Sequence, residues 1–211
     1  MTNYEKMEQA ARELFLSRDQ EAMIRRWELE ADADGLYFDY FSRRVRLDRH
    51  TGILSRGDGS PWPLPSTVNA SMVLFDLLTH GDIRPRPLGE WAGISILGGV
   101  TGPGHARILN RDKVAAQFAG RSSELAEACR FLGGVQERSA DVAFAIPVFR
   151  DFAVLFQFWD GDEEFAPRIR WLFDRNSLAY MHYETLWYVM SEGETRLRLL
   201  TGDGRQSGYP W

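Results

Sequence analysis

The stretch from Ala143 to Glu184 constrains the fold more than any other part of the chain. Three strongly apolar runs, at residues 142–149, 152–159 and 168–174, fill most of it, with short polar segments between them. Apolar runs of this length, rich in aromatic and β-branched residues and bounded by turn-forming residues, are typical of buried strands. We therefore predict three consecutive strands in the core of a mainly antiparallel sheet.

The patterns on either side of this stretch predict helices and shorter strands. Apolar residues at three- and four-residue steps indicate helices, and aromatic or β-branched residues that alternate with polar ones indicate strands. These signals place helices at residues 4–30, 67–80, 111–118, 122–132 and 183–199, and further strands within 36–55 and at 91–97. The predicted fold is α+β, with helices flanking the sheet and a long helix at the N-terminus.

Chain length and one glycine give the expected domain organisation. A chain of 211 residues is long enough to bury one sizeable core. Gly35 follows an Ala/Asp-rich stretch and ends the first helical pattern. We expect residues 1–34 to form an N-terminal helix packed on a single α+β domain of residues 35–211.

The net charge and hydropathy of the chain argue against nucleic acid and membranes as partners. The net charge of −5 argues against nucleic acid as a partner, because affinity for nucleic acid depends largely on neutralising phosphates. No run approaches the roughly 20 apolar residues that cross a bilayer, and the charged N-terminus does not resemble a signal peptide. We expect a soluble cytoplasmic protein with no membrane partner.

Three local patterns disfavour particular chemistries. The single Cys129 lies in an apolar helical pattern, so we expect no iron–sulfur cluster bound by this chain alone. The glycine-rich segment at residues 98–104 lacks the Lys-Ser/Thr pair of a nucleotide-binding loop, which makes a plain turn the better interpretation. His80 ends a helical pattern, and a ligand role for it is disfavoured. No pattern indicates a nucleophilic serine or cysteine.

Four carboxylates cluster directly after the second apolar run, at Asp160, Asp162, Glu163 and Glu164. Gly161 allows the chain to double back there, so we predict that they lie in the turn between two strands. Carboxylates held close together repel one another, which raises a pKa or recruits a cation. Oxygen ligands suit Mg²⁺, Mn²⁺ or Ca²⁺, and an imidazole extends the choice to Zn²⁺ or Fe²⁺. The candidate metal ligands are Asp160, Asp162, Glu163, His182 and Glu184.

The same carboxylates have a structural explanation. Acids in a turn at the end of a strand are commonly solvated, bond to nearby backbone N–H groups, or pair with neighbouring arginines such as Arg168 and Arg170. His182 and Glu184, two residues apart, point to different faces of a helix if that segment is helical. The structural explanation is favoured over both a ligand pocket and a metal centre.

Several ordered motifs resemble an uncharacterised prokaryotic family, the domain of unknown function 3786. The resemblance covers most of the chain after about residue 35, and its motifs lie at residues 88–95, 131–134, 141–144, 158–165 and 171–174. It implies a shared architecture and no particular reaction. Members of that family are met mainly in anaerobes, some alongside iron–sulfur or corrinoid proteins, which implies an accessory role in anaerobic metabolism.

Three functional hypotheses remain open. The first is a ligand- or cofactor-associated accessory protein with a pocket near the WDGDEEF turn (residues 159–165), in which aromatic, acidic and arginine side chains hold a flat or anionic small molecule. Its candidate ligand-binding residues are Arg44, Arg46, Trp159, Asp160, Asp162, Glu163, Glu164, Phe165 and Trp171. The second is a divalent-metal-dependent enzyme that uses the acidic cluster to activate water. The third is an assembly module that docks a protein partner and binds no ligand of its own.

Overall fold

A computed structural model describes residues 2–61, 67–98 and 111–202 of the chain. Two short 3-10 turns, Ala116–Phe118 and Ser177–Ala179, interrupt the connections between its elements. The helices are α1 (Asn3–Ser17), α2 (Gln20–Trp27), α3 (Thr67–Thr79), α4 (Ile94–Leu97), α5 (Asp112–Ala115), α6 (Ser122–Phe131) and α7 (Tyr183–Thr201). The strands are β1 (Glu30–Ala31), β2 (Gly35–Tyr40), β3 (Arg43–Asp48), β4 (Leu54–Arg56), β5 (Trp91–Gly93), β6 (Val135–Gln136), β7 (Val142–Phe149), β8 (Phe152–Trp159) and β9 (Arg168–Asp174).

The strands of the described residues form one antiparallel sheet in the order β4-β3-β2-β7-β8-β9-β5, with β1 added beside β2 and β6 beside β7. This confirms the α+β class and the mainly antiparallel sheet. The three apolar runs form the central strands β7, β8 and β9 with the predicted bounds. In β8 only Ala153 and the last residue, Trp159, are partly exposed. Burial of the other six residues explains why the sequence of this strand is almost continuously apolar.

Helices α5, α6 and α7 pack on the sheet face that carries Phe144, Phe156 and Trp171. Phe158 lies on the same face, two residues after Phe156, and Phe144 pairs with Gln136 of β6. The ring centres of Phe158 and of Phe118, in the first 3-10 turn, are 6.2 Å apart. Helix α7 follows β9 and is buried on most sides, including Glu192 and Arg196, which are fully inaccessible. The core therefore lies between this helix layer and the central strands.

The N-terminal pattern forms two helices, so the prediction of one helix over residues 4–30 is wrong in its extent. A long first helix is present, but it ends at Ser17, and Asp19 starts α2 by accepting a hydrogen bond from the backbone of Ala22 (3.0 Å). An N-cap aspartate satisfies amides that would otherwise lack partners, which favours a new helix over continuation of the old one. Phe15 stacks on Phe75 at 5.5 Å and joins α1 to α3.

Two other segments differ in detail from expectation. The run at residues 91–97, predicted as one strand, is the three-residue strand β5 followed by the single helical turn α4. A short apolar run does not by itself distinguish strand from helix, and Gly93 marks the change. The rest of the glycine-rich segment after Gly98, the residues just before α3 and the C-terminal tail after Gly202 lie outside the described residues.

None of the helices within the described ranges has the length and apolarity required to cross a membrane.

Candidate functional site

Asp160, the first acid of the WDGDEEF turn, is a structural acceptor at the start of α6. Its carboxylate accepts hydrogen bonds from the backbone amide of Gly120 (3.0 and 3.1 Å) and from the hydroxyl of Ser122 (2.9 Å). A negative charge at this position also suits the positive end of a helix. The backbone amide of Asp160 donates in turn to Asp141 (2.8 Å). Asp160 thereby ties the end of β8 to the loop that begins α6.

Asp162 closes the turn on itself. Its Oδ1 accepts from the backbone amides of Glu164 (2.8 Å) and Phe165 (2.7 Å), while its own amide donates to the carbonyl of Phe165 (2.9 Å). These backbone hydrogen bonds lower the pKa of the Asp162 carboxyl. A β-carbon at Gly161 would lie 2.7 Å from Pro167, so the chain passes too close there for any larger residue.

Glu163 and Glu164 point into solvent, and no ion pair joins the acids at residues 162–164 to another described side chain. The turn forms an open depression of about 410 Å³ whose wall includes the exposed Phe165. Two of its four acids are thus committed to backbone amides and two are solvated. Solvation and backbone bonding are the structural explanation favoured on sequence.

The arginine and aromatic side chains predicted to form a ligand pocket do not lie together at the WDGDEEF turn. Arg44 pairs with Glu30, and Arg46 pairs with Asp48 (3.1 Å), on strand β3, which β2 and β7 separate from β8. Trp159 pairs in register with Arg168 on one sheet face, whereas Trp171 pairs with Phe156 on the opposite face. The proposed aromatic wall of Trp159, Phe165 and Trp171 is therefore split between two faces and a loop.

Arg44 instead borders a polar cleft of about 500 Å³ between β2, β3 and β7. The charges that line it are largely paired within the chain, since Arg44 bonds to Glu30 and the guanidinium of Arg150 donates to the carbonyl of Glu28. Arg84 pairs with Glu28 (2.8 Å) beside it. Both arginines of the lining are thus already bonded within the chain, and the exposed Asp39 adds a negative charge that disfavours an anion.

The candidate metal ligands are likewise separated. The turn precedes Arg168, and His182 and Glu184 follow Asp174, so the length of β9, roughly 20 Å for seven extended residues, lies between them. His182 contacts Asp76 and His80 instead, with Nδ1 of His182 2.6 Å from Oδ1 of Asp76. Sequence reasoning did not place Asp76 at any site.

A third cleft, of about 460 Å³, runs along the outer edge of β9. Strand β5 pairs with β9 only at residues 172–174, so residues 168–171 have no strand partner on that side within the described ranges. Apolar side chains of Trp91, Ile94, Trp171 and Met190 border the cleft. An apolar lining with a few polar groups is the usual composition of a small-molecule site.

Three arginines, Arg111, Arg168 and Arg170, also line this edge cleft. Nε of Arg111 lies 3.3 Å from the nearly buried carboxylate of Glu194 on α7. Burial raises the pKa of Glu194, and the positive charge of Arg111 offsets part of that rise. The charge of Arg111 is thus balanced inside the protein.

Arg168 and Arg170 have no acidic partner among the described side chains. They are exposed, lie on the same face of β9 because they are two residues apart, and sit roughly 7 Å from each other along the strand. Arg168 lies over the ring of Trp159, with its guanidinium carbon 5.0 Å from the ring centre. The edge cleft therefore combines an apolar lining with two uncompensated positive charges.

Sequence reasoning named Trp171 but missed the other residues of this cleft. The alternation Arg168-Ile169-Arg170-Trp171 carried a usable signal, because polar and apolar residues alternate there while β8 is almost wholly apolar. That contrast is typical of a strand with one exposed face.

Comparison with known proteins gives a family and nothing further about activity. The profile described as "Domain of unknown function (DUF3786)" matches residues 19–193, which include β2 to β9 and most of α7. Searches of curated proteins and of solved structures gave no match. Because the match spans most of the chain, including the WDGDEEF turn and the edge cleft, this protein belongs to the DUF3786 family.

Proposed function

We propose that this protein is a ligand-binding accessory protein that holds a small anionic molecule in the edge cleft, acting in the cytoplasm. The observation that carries the proposal is the pair Arg168 and Arg170, which are positive, exposed and without acidic partners in the described chain, beside an apolar lining. The planar guanidinium matches carboxylate and phosphate groups in a bidentate geometry. The expected ligand is a carboxylate or phosphate with an apolar or aromatic body.

The two parts of such a ligand have separate places in the cleft. The anionic group meets the guanidiniums of Arg168 and Arg170 on the outer face of β9, while the apolar body lies against Ile94 and Met190. Arg111 contributes less, because Glu194 already neutralises it at 3.3 Å. Removing the Arg170 side chain should weaken binding by about 1.5–3 kcal/mol, the usual worth of a hydrogen bond to a charged group.

The acidic turn has a supporting role in this proposal. The bonds of Asp160 to Gly120 and Ser122 and the closed loop at Asp162 fix the end of β8. Arg168 begins β9 just after the turn and stacks on Trp159. The turn thus sets the position of the first arginine rather than contacting the ligand.

A thermal-shift screen tests the proposal. The probes are aromatic carboxylates, dicarboxylates, flavin mononucleotide and nucleoside phosphates, each against the wild-type chain, Arg170→Ala and Arg138→Ala. Arg138 is a matched control because it is also exposed and has no acidic partner among the described residues, but it does not line the cleft. A stabilising anion whose effect is lost in Arg170→Ala and kept in Arg138→Ala supports the proposal. Stabilisation by no anion, or equal loss in both variants, contradicts it.

A further inference from the structure

Asp76, His80 and His182 come together at the end of the sheet remote from the acidic turn. Asp76 and His80 lie four residues apart at the C-terminal end of α3, and His182 is the N-cap residue of α7. The rings of the two histidines are 4.4 Å apart between centres and nearly perpendicular. One possible ligand atom from each of the three side chains lies within 4.8 Å of the other two.

Helix capping explains the contacts of only one of the two carboxylate oxygens of Asp76. Its Oδ2 accepts from the backbone amide of His182 (2.8 Å) and the hydroxyl of Thr185 (2.5 Å), which satisfies donors at the start of α7. Its Oδ1 is directed to Nδ1 of His182 at 2.6 Å. Since an ionised carboxylate can only accept, Nδ1 carries the proton and Nε2 of a neutral His182 keeps its lone pair.

His80 is oriented in a similar way. Its Nε2 lies 3.0 Å from the carbonyl oxygen of Leu178, which is also only an acceptor. The proton of a neutral His80 is therefore on Nε2, and Nδ1 keeps a lone pair. Each imidazole thus has one nitrogen fixed by a carboxylate or backbone carbonyl and the other available.

That arrangement is the usual one around a metal-binding histidine. Ligating imidazoles almost always donate their second ring N–H to a carboxylate or a backbone carbonyl, which fixes the ring and raises its basicity. Ligand atoms of a four-coordinate ion at about 2.0–2.1 Å lie roughly 3.4 Å apart, so the two imidazoles must turn their free nitrogens toward one point. The side chain of His182 is 67% exposed and can make that movement.

We propose that His80 and His182 bind a divalent transition-metal ion, with Asp76 positioning His182. Imidazole ligands select ions such as Zn²⁺, Co²⁺ and Ni²⁺ over Mg²⁺ and Ca²⁺. With two protein nitrogens as ligands, the remaining coordination positions belong to water. The ion links α3 to the beginning of α7. None of the three cluster residues lines the edge cleft, so this site is independent of the proposed anion ligand.

Titration of the full chain with Co²⁺ and Zn²⁺ tests the site, using visible absorption of bound Co²⁺ and calorimetry. Wild type should bind one ion per chain at the cluster. His80→Ala and His182→Ala should each weaken binding at least about tenfold, since even losing the hydrogen-bond partner of a ligating imidazole costs about 10–100-fold. His50→Ala is the matched control, because His50 also lies beside an aspartate, Asp34 at 3.3 Å, but without a second imidazole. It should bind as wild type does.

Three results would overturn the proposal: no saturable binding by wild type, binding that survives in both His80→Ala and His182→Ala, or a loss in His50→Ala equal to theirs. Circular dichroism of each variant establishes that the helices are intact. As a second readout, Co²⁺ should raise the melting temperature of wild type and of His50→Ala but not that of His80→Ala, because an ion bound only to the folded chain stabilises it.

Discussion

The indole ring of Trp171 lies directly against Gly193, where α7 crosses β9. A β-carbon at position 193 would be 2.6 Å from Cη2 of Trp171, which is itself nearly buried and packed on Phe156 with ring centres 4.8 Å apart. The helix can approach the sheet this closely only because residue 193 has no side chain. This contact fixes α7 beside the edge cleft, where Trp171 and Met190 form part of the lining.

Gly193→Ala should therefore destabilise the fold despite placing a better helix former in α7. Alanine gains about 1 kcal/mol of helix propensity, but overpacking a core typically costs about 1–3 kcal/mol. We expect a net loss in urea unfolding, and a larger loss for Gly193→Val. Gly93→Ala is the control, because its β-carbon would meet nothing closer than 3.9 Å. A Gly193→Ala variant as stable as wild type would show that Trp171 can move away.

The buried ion pair of Glu192 and Arg196 gives a second stability prediction. Arg196 bonds to Oε1 of Glu192 at 2.7 Å with both side chains fully inaccessible, and its guanidinium lies 5.0 Å and 4.9 Å from the rings of Tyr40 and Phe41. Glu192→Ala should cost about 3–5 kcal/mol, because it removes the carboxylate that compensates the buried positive charge of Arg196. The double variant Glu192→Leu/Arg196→Met should be more stable than Glu192→Ala in the same unfolding experiment. Equal stability of these two variants would contradict the account.

The acidic turn should divide into structural and dispensable carboxylates. Asp160→Ala removes the acceptor of Gly120 and Ser122 and should cost about 1–2 kcal/mol, the scale of a lost cap. Asp162→Ala opens the turn and should also lower the melting temperature. Glu163→Ala should be neutral, since Glu163 is exposed and has no described partner. Thermal melts with and without Mg²⁺ measure the stability of each variant and test for metal binding. A large rise in melting temperature on adding Mg²⁺ that is absent in Glu163→Ala would favour a metal site at the turn.

Asp48 should make stability depend on pH in acid. Partial burial opposes its ionisation, but hydrogen bonds from Thr51, His50 and Arg46 outweigh this and lower its pKa from 3.8 to about 2. The depressed pKa stabilises the fold above about pH 4, and this contribution is lost as the pH falls toward 2.

Asp48→Asn should accordingly be less stable than wild type at pH 6, with the difference shrinking between pH 4 and pH 2. Asp39→Asn, at an exposed aspartate without a described partner, should follow the wild-type curve. Urea unfolding at several pH values measures both. A difference between Asp48→Asn and wild type that stays constant with pH would disprove the role assigned to the Asp48 charge.

The central strands were predictable from sequence because local and tertiary signals agree there. Apolar runs end at Arg150-Asp151 and at the WDGDEEF turn, and those are the turns that the chain makes. The break between α1 and α2 also had a local signal in Asp19, a good N-cap residue that the apolar periodicity concealed. The residues after Gly93 gave no signal for the change from strand to helix, because the sequence Ile-Ser-Ile-Leu suits both a strand and a helix.

The sites were less predictable because they depend on contacts between distant residues. Asp76 and His182 are 106 positions apart and meet only because α3 packs beside α7. The edge cleft exists because β5 covers just three residues of β9, which a pattern within either strand does not reveal. The acidic turn was located correctly. The hydrogen-bond partners of Asp160, which are Gly120 and Ser122, could not be predicted because they depend on where α6 begins.

Calorimetric titration of the best-stabilising small anion into wild type, Arg170→Ala and Arg138→Ala measures whether Arg170 binds the ligand. We expect one site per wild-type chain, unchanged affinity in Arg138→Ala, and a loss of about 1.5–3 kcal/mol in Arg170→Ala. The binding enthalpy and stoichiometry report on the ligand site independently of fold stability. Unchanged affinity in Arg170→Ala would contradict an anion site at the edge of β9.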